Sequence, residues 1–429
     1  MVGNNAPEIL QPPPTKTWAS LFEAKTGIKT PINRTSTSTN LSQPTAAQER
    51  TLPTYSDEAN SHRLGEFLSN YRLENRPVSL LPRGLTNRSN YCYVNAILQA
   101  LIACSPFNNM LKALPSSQAR SGNSSTPAID SLKVLCSEYS MVASSSRSGH
   151  RRTAVIGPPL DGFASVRVLR ALRQFSGAQG NRQEDAEEFL SCILNTLNDE
   201  MLEVIKANEP EEPKRDAIEK SNSVVAQHQS VCTVRRTPVA DIFRGLTRTR
   251  LHRAPNRNVT DNVQPFFTLQ LDIERSNTVQ DALELLAAKD AIEGVPGAWQ
   301  QLSFARLPLV LLLHLKCFQV DGNGHAKKII KNFDFPVDLN IHPKMMSSKH
   351  TYKQRTYKLF AVVYHEGAQA GKGHYITDTF HSGAGWIRFD DAIVTQVTLA
   401  KVLKATAPRM PYILMYRRHD TLLPHRPPG

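Results

Sequence analysis

Hydrophobic residues recur at helical spacing in two segments of the first half of the chain. One apolar face predicts a helix that starts near Cys92, and it comprises Val94, Ile97, Leu98, Leu101 and Ile102. A second predicted amphipathic helix starts at Gln183, with apolar positions at Ala186, Phe189, Leu190, Ile193, Leu194 and Leu197. Residues 84 to about 200 are therefore predicted to be helical, with a Ser-rich basic loop from Ser144 to Arg152.

The second half contains short runs rich in β-branched, aromatic and leucine residues, which predict strands. These runs are Phe266–Ile273, Leu307–Leu315, Tyr357–Tyr364, Tyr375–Phe380 and Pro411–Arg417. Helices followed by strands indicate an α+β fold.

Two segments are too polar to form a core. Residues 1–75 are rich in Pro, Ser, Thr and Asn, which predicts a mostly disordered tail. Its apolar island Trp18–Phe22 is interpreted as a short docking motif, with chance as the alternative. Residues 205–236 are hydrophilic and low in aromatics, which predicts an inserted loop.

Composition limits the class of protein. The 429 residues are 40% hydrophobic, enough for a large core, and the six cysteines include no Cys-x-x-Cys pair. No signal peptide is recognised, and the longest apolar run, Leu307–Leu315, is too short to span a membrane. We therefore expect a soluble protein in the reducing cytoplasm, with the nucleus as an alternative location and no membrane partner.

The formal net charge of +13 raises the question of acidic partners. The most basic run comprises Arg235, Arg236, Arg244, Arg248, Arg250, Arg253 and Arg257. This run is the best candidate for contact with RNA-granule or ribosomal partners. The N-terminal tail is the other candidate segment for binding such partners. A solvated basic face is the favoured alternative.

Cys92 is the first candidate for catalysis. Free N–H groups at a helix start stabilise a thiolate, and Asn90 is a residue type that commonly caps a helix. The side-chain amide of Asn87, five residues upstream, could point at the same spot as the Cys92 backbone N–H, as an oxyanion hole requires. The alternative is a small buried cysteine without chemistry.

A nucleophilic thiolate needs a base and a group that orients the base. Gly373-His374-Tyr375 offers a histidine, and Asp390 and Asp391 follow about 16 residues later on what we expect to be the next strand. His365 is interpreted as structural. Asp185 and Glu188 lie three residues apart on the second helix, as either a solvated charge pair or a site for a basic segment.

Together these motifs resemble the ubiquitin-specific proteases, a family of papain-like cysteine deubiquitinases. The residues that match its three motifs are Gly84, Leu85, Asn87, Cys92, Tyr93, Asn95 and Gln99, then Gln183, Asp185, Glu188, Phe189 and Leu190, then Gly373, His374, Tyr375, Trp386, Phe389, Asp390 and Asp391. The resemblance covers about residues 80–418. It implies a helical thumb at about 84–200, extended fingers at about 241–303 and a β-rich palm at about 304–418, followed by a tail at 419–429.

The resemblance also implies roles for single residues. Cys92 would attack the carbonyl of ubiquitin's terminal glycine, His374 would transfer the proton and Asp390 would orient His374. Asn87 would stabilise the oxyanion. Asp391 would help to hold the oxyanion region. Asp185 and Glu188 would meet the basic C-terminal tail of ubiquitin, and Gln183, Tyr375 and Asp391 are the other residues expected at the substrate-binding site. Ubiquitin and ubiquitinated proteins are the expected partners, and neither metal nor cofactor is required.

Three departures from the family pattern temper these expectations. Ser89 stands where the family usually has glycine, although a residue this small should preserve activity. The predicted fingers lack the paired cysteines of zinc-binding members, and Cys317 occupies a position usually held by arginine. The rival function is a silent scaffold that binds ubiquitin or RNA granules. The presence of Cys92, His374 and Asp390 favours the enzyme.

Overall fold

A computed structural model describes residues 55–115, 124–142, 154–175, 183–209, 235–253, 258–320, 326–369 and 372–422. The predicted docking motif at 18–22, the Ser144–Arg152 loop and residues 210–234 of the predicted inserted loop lie outside the described residues. Residues 205–207, which the sequence assigned to that loop, are instead the last residues of a long helix.

Six helices at the start of the described chain include those of the thumb. Their bounds are α1 (Tyr55–Asn70), α2 (Cys92–Ala103), α3 (Ser105–Ala113), α4 (Pro127–Ser137), α5 (Phe163–Ala171) and α6 (Ala186–Ala207). Helix α2 is mostly apolar, and every residue from Cys92 to Ile102 is buried, including the polar Asn95 and Gln99. A helix of this composition belongs in the centre of a domain.

Helix α1 corrects the predicted tail at 1–75, because its 16 residues are helical. Leu68 is buried in the core, and the Asn208 amide at the end of α6 donates to the Ser61 carbonyl at 3.2 Å. Gly65 packs against the same Asn208, since an added Cβ would lie 1.9 Å from Asn208 Nδ2. The polar composition of this segment concealed a helix that tertiary contacts stabilise.

The fingers form a four-stranded antiparallel sheet in the order β2-β1-β5-β4. The strands are β1 (Gly245–Arg253), β2 (Asn258–Phe266), β4 (Lys289–Ala291) and β5 (Trp299–Arg306). His252 stacks on Trp299 with ring centroids 3.7 Å apart, and Lys289 Nζ lies 4.2 Å from the Trp299 ring centre. Side-chain packing therefore links three of these strands at their outer part.

The palm is an eight-stranded sheet with the path β13-β12-β11-β10-β14-β6-β3, and β9 pairs with β10 off that path. Its strands are β3 (Thr268–Asp272), β6 (Val310–Lys316), β9 (Asp338–Asn340), β10 (Thr356–Gln369), β11 (Lys372–His381), β12 (Gly385–Asp390), β13 (Ile393–Val397) and β14 (Met410–Arg418). Four of the five predicted strands are confirmed, whereas the run Phe266–Ile273 is divided at Phe267 between the end of β2 and β3. The predicted fingers at 241–303 are not continuous, because β3 pairs in parallel with β6 of the palm.

Short elements complete the described chain. They are α7 (Pro238–Phe243), α8 (Val279–Leu286), α9 (Tyr352–Arg355), α10 (Leu399–Leu403), the hairpin β7 (Phe318–Val320) and β8 (Ala326–Lys328), and 3-10 turns at Pro343–Met345 and His419–Thr421. In the described part of the chain, we find no helix with the length and apolar character that crossing a bilayer requires.

The thumb meets the palm where α2 packs on β11. The Thr377 hydroxyl on β11 donates to the Ala96 carbonyl on α2 at 2.8 Å, and both groups are buried. Because Ala96 lies one turn after Cys92 and Thr377 lies three residues after His374, this contact brings the first residue of α2 beside the first part of β11.

Candidate active site

The loop before Cys92 is shaped by Asn87. Helix α2 begins at Cys92, but its N-cap residue is Tyr91, without a side-chain cap, so the interpretation of Asn90 as the cap is wrong. The side-chain oxygen Oδ1 of Asn87 instead accepts hydrogen bonds from the backbone N–H groups of Ser89 at 3.0 Å and Tyr91 at 3.3 Å. The predicted position of Cys92 in the first helical turn is confirmed.

Asp391 ties this loop to the palm. Its carboxylate accepts a hydrogen bond from the Asn87 amide at 3.0 Å and another from the Asn95 amide at 2.7 Å. Its backbone carbonyl accepts one from Leu85 N–H at 2.9 Å. Gly84 allows this approach, because an added Cβ would lie 2.4 Å from the Ala392 carbonyl oxygen. Asp391 is the described non-glycine residue with positive φ, at 50°, a conformation that aspartate tolerates better than most residues.

Asn95 extends this network in a way that the sequence did not indicate. Its amide also donates to the Leu85 carbonyl at 3.1 Å, and its side-chain oxygen accepts a hydrogen bond from the Ser165 hydroxyl at 2.6 Å. The motif match included Asn95, but only the fold shows that it links the Cys92 loop, Asp391 and α5.

The candidate base and its orienting carboxylate lie on neighbouring strands, as expected. Strands β11 and β12 pair antiparallel, and His374 Nε2 lies 2.6 Å from Asp390 Oδ1. A hydrogen bond with the Cys92 sulfur raises the pKa of His374 most, burial lowers it and the Asp390 carboxylate raises it, to about 10 in total. The Cys92 sulfur and the Asp390 carboxylate therefore both favour the protonated form of the imidazole.

Gln183 bridges the two halves of this site. Its Nε2 donates to Cys92 Sγ at 3.9 Å, and its Oε1 accepts from Gly373 N–H at 3.2 Å. The resemblance placed Gln183 among substrate contacts, whereas in the structure it touches the candidate nucleophile and the residue before His374. The sequence feature that could have indicated this role is the position of Gln183, two residues before Asp185, the N-cap of α6.

The predicted ubiquitin-tail residues differ in exposure. Asp185 is buried, caps α6 by accepting from Glu187 N–H at 2.9 Å, and accepts from the Tyr412 hydroxyl at 2.6 Å. Burial raises the pKa of Asp185 to about 7. Tyr375 is also buried and packs on Tyr412 with centroids 5.7 Å apart. Because both residues are buried, contact of Asp185 and Tyr375 with a substrate stays a prediction.

Glu188 is half-buried, and its Oε2 is a buried oxygen without a hydrogen-bond partner among the described residues. Burial raises the pKa of Glu188 most, and the carboxylates of Glu184 and Glu187 raise it further. A carboxylate in this state would be stabilised by a cation. Of the predicted tail residues, Glu188 has the environment that best fits a basic ligand.

A group of possible metal ligands coincides with the triad. Among the described residues, ligand atoms of His374, Asp390 and Asp391 lie within 4.8 Å of one another. Both Asp391 oxygens already accept amide hydrogens, and His374 and Asp390 bond each other. Hydrogen bonds from Asn87 and Asn95, and the bond between His374 and Asp390, therefore already engage these atoms.

The remaining candidates have structural roles. His365 is fully buried, and Lys328 Nζ lies 2.9 Å from its Nδ1, which confirms the interpretation of His365 as structural. Cys317 is buried, and burial raises the pKa of its thiol to about 12. Nothing in the structure explains why a cysteine stands at this position.

Several arginines of the basic run already have partners. Arg235 pairs with Glu209 at 2.6 Å, Arg236 pairs with Asp241, and Arg248 and Arg250 both pair with Asp261. Arg257 lies outside the described residues. Contact with RNA or a ribosome stays a prediction, and these ion pairs give it no support.

The sequence of this chain is similar to a known family of hydrolases. A family model described as ubiquitin carboxyl-terminal hydrolase matches residues 83–416. Ubiquitin carboxyl-terminal hydrolase 10 of Xenopus tropicalis is 37% identical over 465 aligned positions, which cover 96% of this chain and 57% of that protein. The protein of the same name from Mus musculus is 35% identical over 95% of this chain and 58% of its own length. The chain thus spans somewhat more than half the length of these relatives.

Solved structures share the fold. A SAGA Ubp8/Sgf11/Sus1/Sgf73 DUB module bound to ubiquitin aldehyde matches with a TM-score of 0.59 and 23% identity, over 78% of this chain and 69% of that chain. A Ubp8-containing module bound to monoubiquitin matches with a TM-score of 0.59 and 24% identity, over 81% of this chain and 70% of that chain. At this level of identity the likeness confirms the predicted α+β protease fold.

Proposed function

Because this chain belongs to the ubiquitin carboxyl-terminal hydrolase family, we propose that it is a thiol-dependent deubiquitinase. Its substrates would be proteins joined to ubiquitin through an isopeptide or peptide bond after ubiquitin's C-terminal glycine. The names of its relatives and the ubiquitin-bound state of two structural neighbours support this substrate. Cytoplasmic location stays a prediction from composition.

The observation that carries the proposal is the arrangement of Cys92, His374 and Asp390. The Cys92 thiol lies at the start of a 12-residue helix, whose N-terminus favours negative charge. His374 Nε2 lies 2.6 Å from the Asp390 carboxylate, and the Cys92 sulfur is the neighbour that raises the pKa of His374 most. A thiolate paired with a protonated imidazole is the nucleophile of papain-like proteases, in which a third residue orients the imidazole, and Asp390 would be that residue here.

The reaction would proceed by acyl transfer. The Cys92 thiolate adds to the carbonyl carbon of the terminal glycine, and the carbonyl electrons move to oxygen. When the tetrahedral intermediate collapses, the C–N bond breaks and His374 donates its proton to the leaving amine, which forms a thioester. His374 then removes a proton from water, and the resulting attack releases ubiquitin and regenerates the Cys92 thiolate beside protonated His374.

Asn87 and the Cys92 backbone N–H are proposed to stabilise the oxyanion. Asn87 Nδ2 carries two hydrogens and donates one to Asp391, so the other is available for a substrate oxygen. Two further contacts fix the plane of this amide, because its oxygen accepts from Ser89 and Tyr91. A donor held before the reaction begins is the kind that stabilises a transition state most.

Glu188 is proposed to bind a basic residue of the ubiquitin tail. Its unpartnered oxygen and its acidic neighbours make a cation favourable there. Asp185 and Tyr375 would support this wall of the cleft from inside, through the cap of α6 and the packing on Tyr412. Gln183 would hold Cys92 and the strand of His374 in a fixed relative position, because it hydrogen-bonds both Cys92 and Gly373.

The direct test uses ubiquitin that carries a C-terminal electrophile. We expect one covalent ubiquitin per chain, with peptide mapping that places the bond on Cys92. The Cys92→Ala variant should remain unlabelled. Cys192→Ala is the matched control, because Cys192 is the partly exposed free thiol on α6, and this variant should label normally. Labelling that persists in Cys92→Ala, or a wild-type chain that is folded but unlabelled, would overturn the proposal.

A further inference from the structure

Lys328 is a buried lysine surrounded by acceptors. Its Nζ lies 2.9 Å from the His365 carbonyl oxygen, 2.7 Å from that of Gly367 and 2.9 Å from that of Pro408. The fourth neighbour is His365 Nδ1, also at 2.9 Å. A charged ammonium has three hydrogens, which these four acceptors would share. This single side chain therefore links β8 to the end of β10 and to the loop before β14.

The ring of His365 lies against this lysine. Donation from Lys328 Nζ to Nδ1 would place the ring proton on Nε2, a buried atom without a hydrogen-bond partner among the described residues. The ring is held in place by edge-to-face packing on Tyr375 at 4.9 Å and Phe318 at 5.2 Å. Lys328 thus helps to position a fully buried imidazole, through contacts with its ring and with its backbone carbonyl.

His365 in turn lies directly under the strand of the candidate base. A Cβ added to Gly373 would lie 2.3 Å from His365 Nε2 and 2.4 Å from the Glu366 carbonyl oxygen, so the backbone of Gly373 rests against this ring. Gly373 N–H donates to Gln183, which contacts Cys92. In the strand pairing, His365 lies opposite Tyr375 and Glu366 lies opposite His374.

We propose that Lys328 is a positioning residue of the proposed hydrolase, which acts through His365 on the backbone of Gly373 and so sets where His374 and Gln183 meet Cys92. Lys328 touches neither Cys92 nor His374 through any contact that the structure describes. The proposal rests on the function proposed above, since it concerns the alignment of that site. It predicts that the chemistry, rather than ubiquitin binding, depends on Lys328.

The test compares Lys328→Met with Lys331→Met in the full chain. Lys331 is a matched control, because its Nζ also donates to two palm carbonyls, those of Glu274 and Ser276, far along the chain from His374. With a fluorogenic ubiquitin substrate, we expect Lys328→Met to lower kcat by about tenfold to a hundredfold, as a small misplacement of reacting groups does. KM should stay within about twofold, because binding is retained.

A second readout needs no ubiquitin. The rate at which iodoacetamide alkylates Cys92 depends on the thiolate that His374 stabilises. The pH dependence of this alkylation rate should therefore shift in Lys328→Met and stay unchanged in Lys331→Met. Since Lys328→Met could fold poorly, His365→Gln is the second variant. It keeps the three carbonyl contacts of Lys328 but removes the ring under Gly373, and it should show the same kcat loss.

The outcomes separate the two proposals. If wild-type protein is folded but does not hydrolyse ubiquitin substrates, the proposed function fails, while the alkylation profiles still test Lys328. If folded Lys328→Met and His365→Gln keep wild-type kcat and wild-type alkylation profiles, the positioning role is overturned. Equal losses in Lys331→Met would overturn it as well, because they would show a general effect of palm stability.

Discussion

Removal of the Asp391 carboxylate should both destabilise the protein and slow catalysis. In Asp391→Ala, the amides of Asn87 and Asn95 lose acceptors that now lie at 3.0 and 2.7 Å. Hydrogen bonds to a charged group contribute about 1.5–3 kcal/mol each. Two of them set an upper range of about 3–6 kcal/mol. Because Asp391 is partly exposed and Asn95 keeps the Leu85 carbonyl, we expect the lower end, about 3 kcal/mol.

The same substitution places alanine at a φ of 50°, a conformation that aspartate tolerates better than most residues because its short polar side chain can form local hydrogen bonds. The freed Asn87 amide would no longer be aimed by the palm. Loss of one oxyanion donor costs roughly a hundredfold to a thousandfold in kcat. A donor that is loosened rather than removed should cost about tenfold to a hundredfold.

Urea unfolding and steady-state hydrolysis of a fluorogenic ubiquitin substrate measure the two effects. Asp420→Ala is the control, because Asp420 forms a surface pair with Arg418 at 2.8 Å, and such a pair is worth about 1 kcal/mol or less. An Asp391→Ala protein with wild-type unfolding free energy and kcat would refute the view that Asp391 orders the Cys92 loop.

Substitutions at two further sites test buried carboxylates, one within α6 and one at its N-cap. The Glu200 carboxylate accepts hydrogen bonds from the backbone N–H groups of Ala128 and Ile129 at 2.9 Å each. Glu200→Ala should therefore lower the free energy of unfolding by about 2–4 kcal/mol, and Glu200→Gln should lower it by less. Urea unfolding measures both changes. Equal stability of both variants and wild type would contradict this role. Burial raises the pKa of Asp185 to about 7 in the folded state, so its contribution to stability is greatest below pH about 4 and is lost as pH rises toward 7, by up to about 1.4 kcal/mol per pH unit. Asp185→Asn keeps an Oδ1 for both Glu187 and Tyr412 and should flatten this pH profile, whereas parallel profiles would show that Asp185 does not titrate in this window.

Sequence periodicity was enough for the parts of the fold with a strong apolar pattern. The faces of α2 and α6 and the runs that became β6, β10 and β14 are buried on one or more sides, so their patterns are clear. Helix α1 and the finger strands β1 and β2 were not identified, because many of their residues are polar and partly exposed. Their structure depends on contacts with other segments rather than on local pattern.

The candidate site divides in a similar way. Cys92, His374 and Asp390 were identified because each stands in a short motif whose residue types suit the chemistry. The resemblance implied that Asp391 helps to hold the oxyanion region, but the individual contacts were not predicted, since Asn87 and Asp391 are 304 residues apart in the chain. The same holds for Gln183 and Gly373, and for Lys328 and Pro408, whose meeting depends on the pairing of thumb and palm. A single sequence carries no local signal for such pairs.

The most direct test of the central claim is cleavage of ubiquitin joined to a lysine side chain, followed by intact-mass analysis of the products. We expect wild-type protein to release full-length ubiquitin with a free C-terminal carboxylate and an unmodified lysine. Cys92→Ala, measured beside it at the same concentration, should release none. Cleavage by Cys92→Ala at the wild-type rate, or a cut at any other bond, would contradict the account.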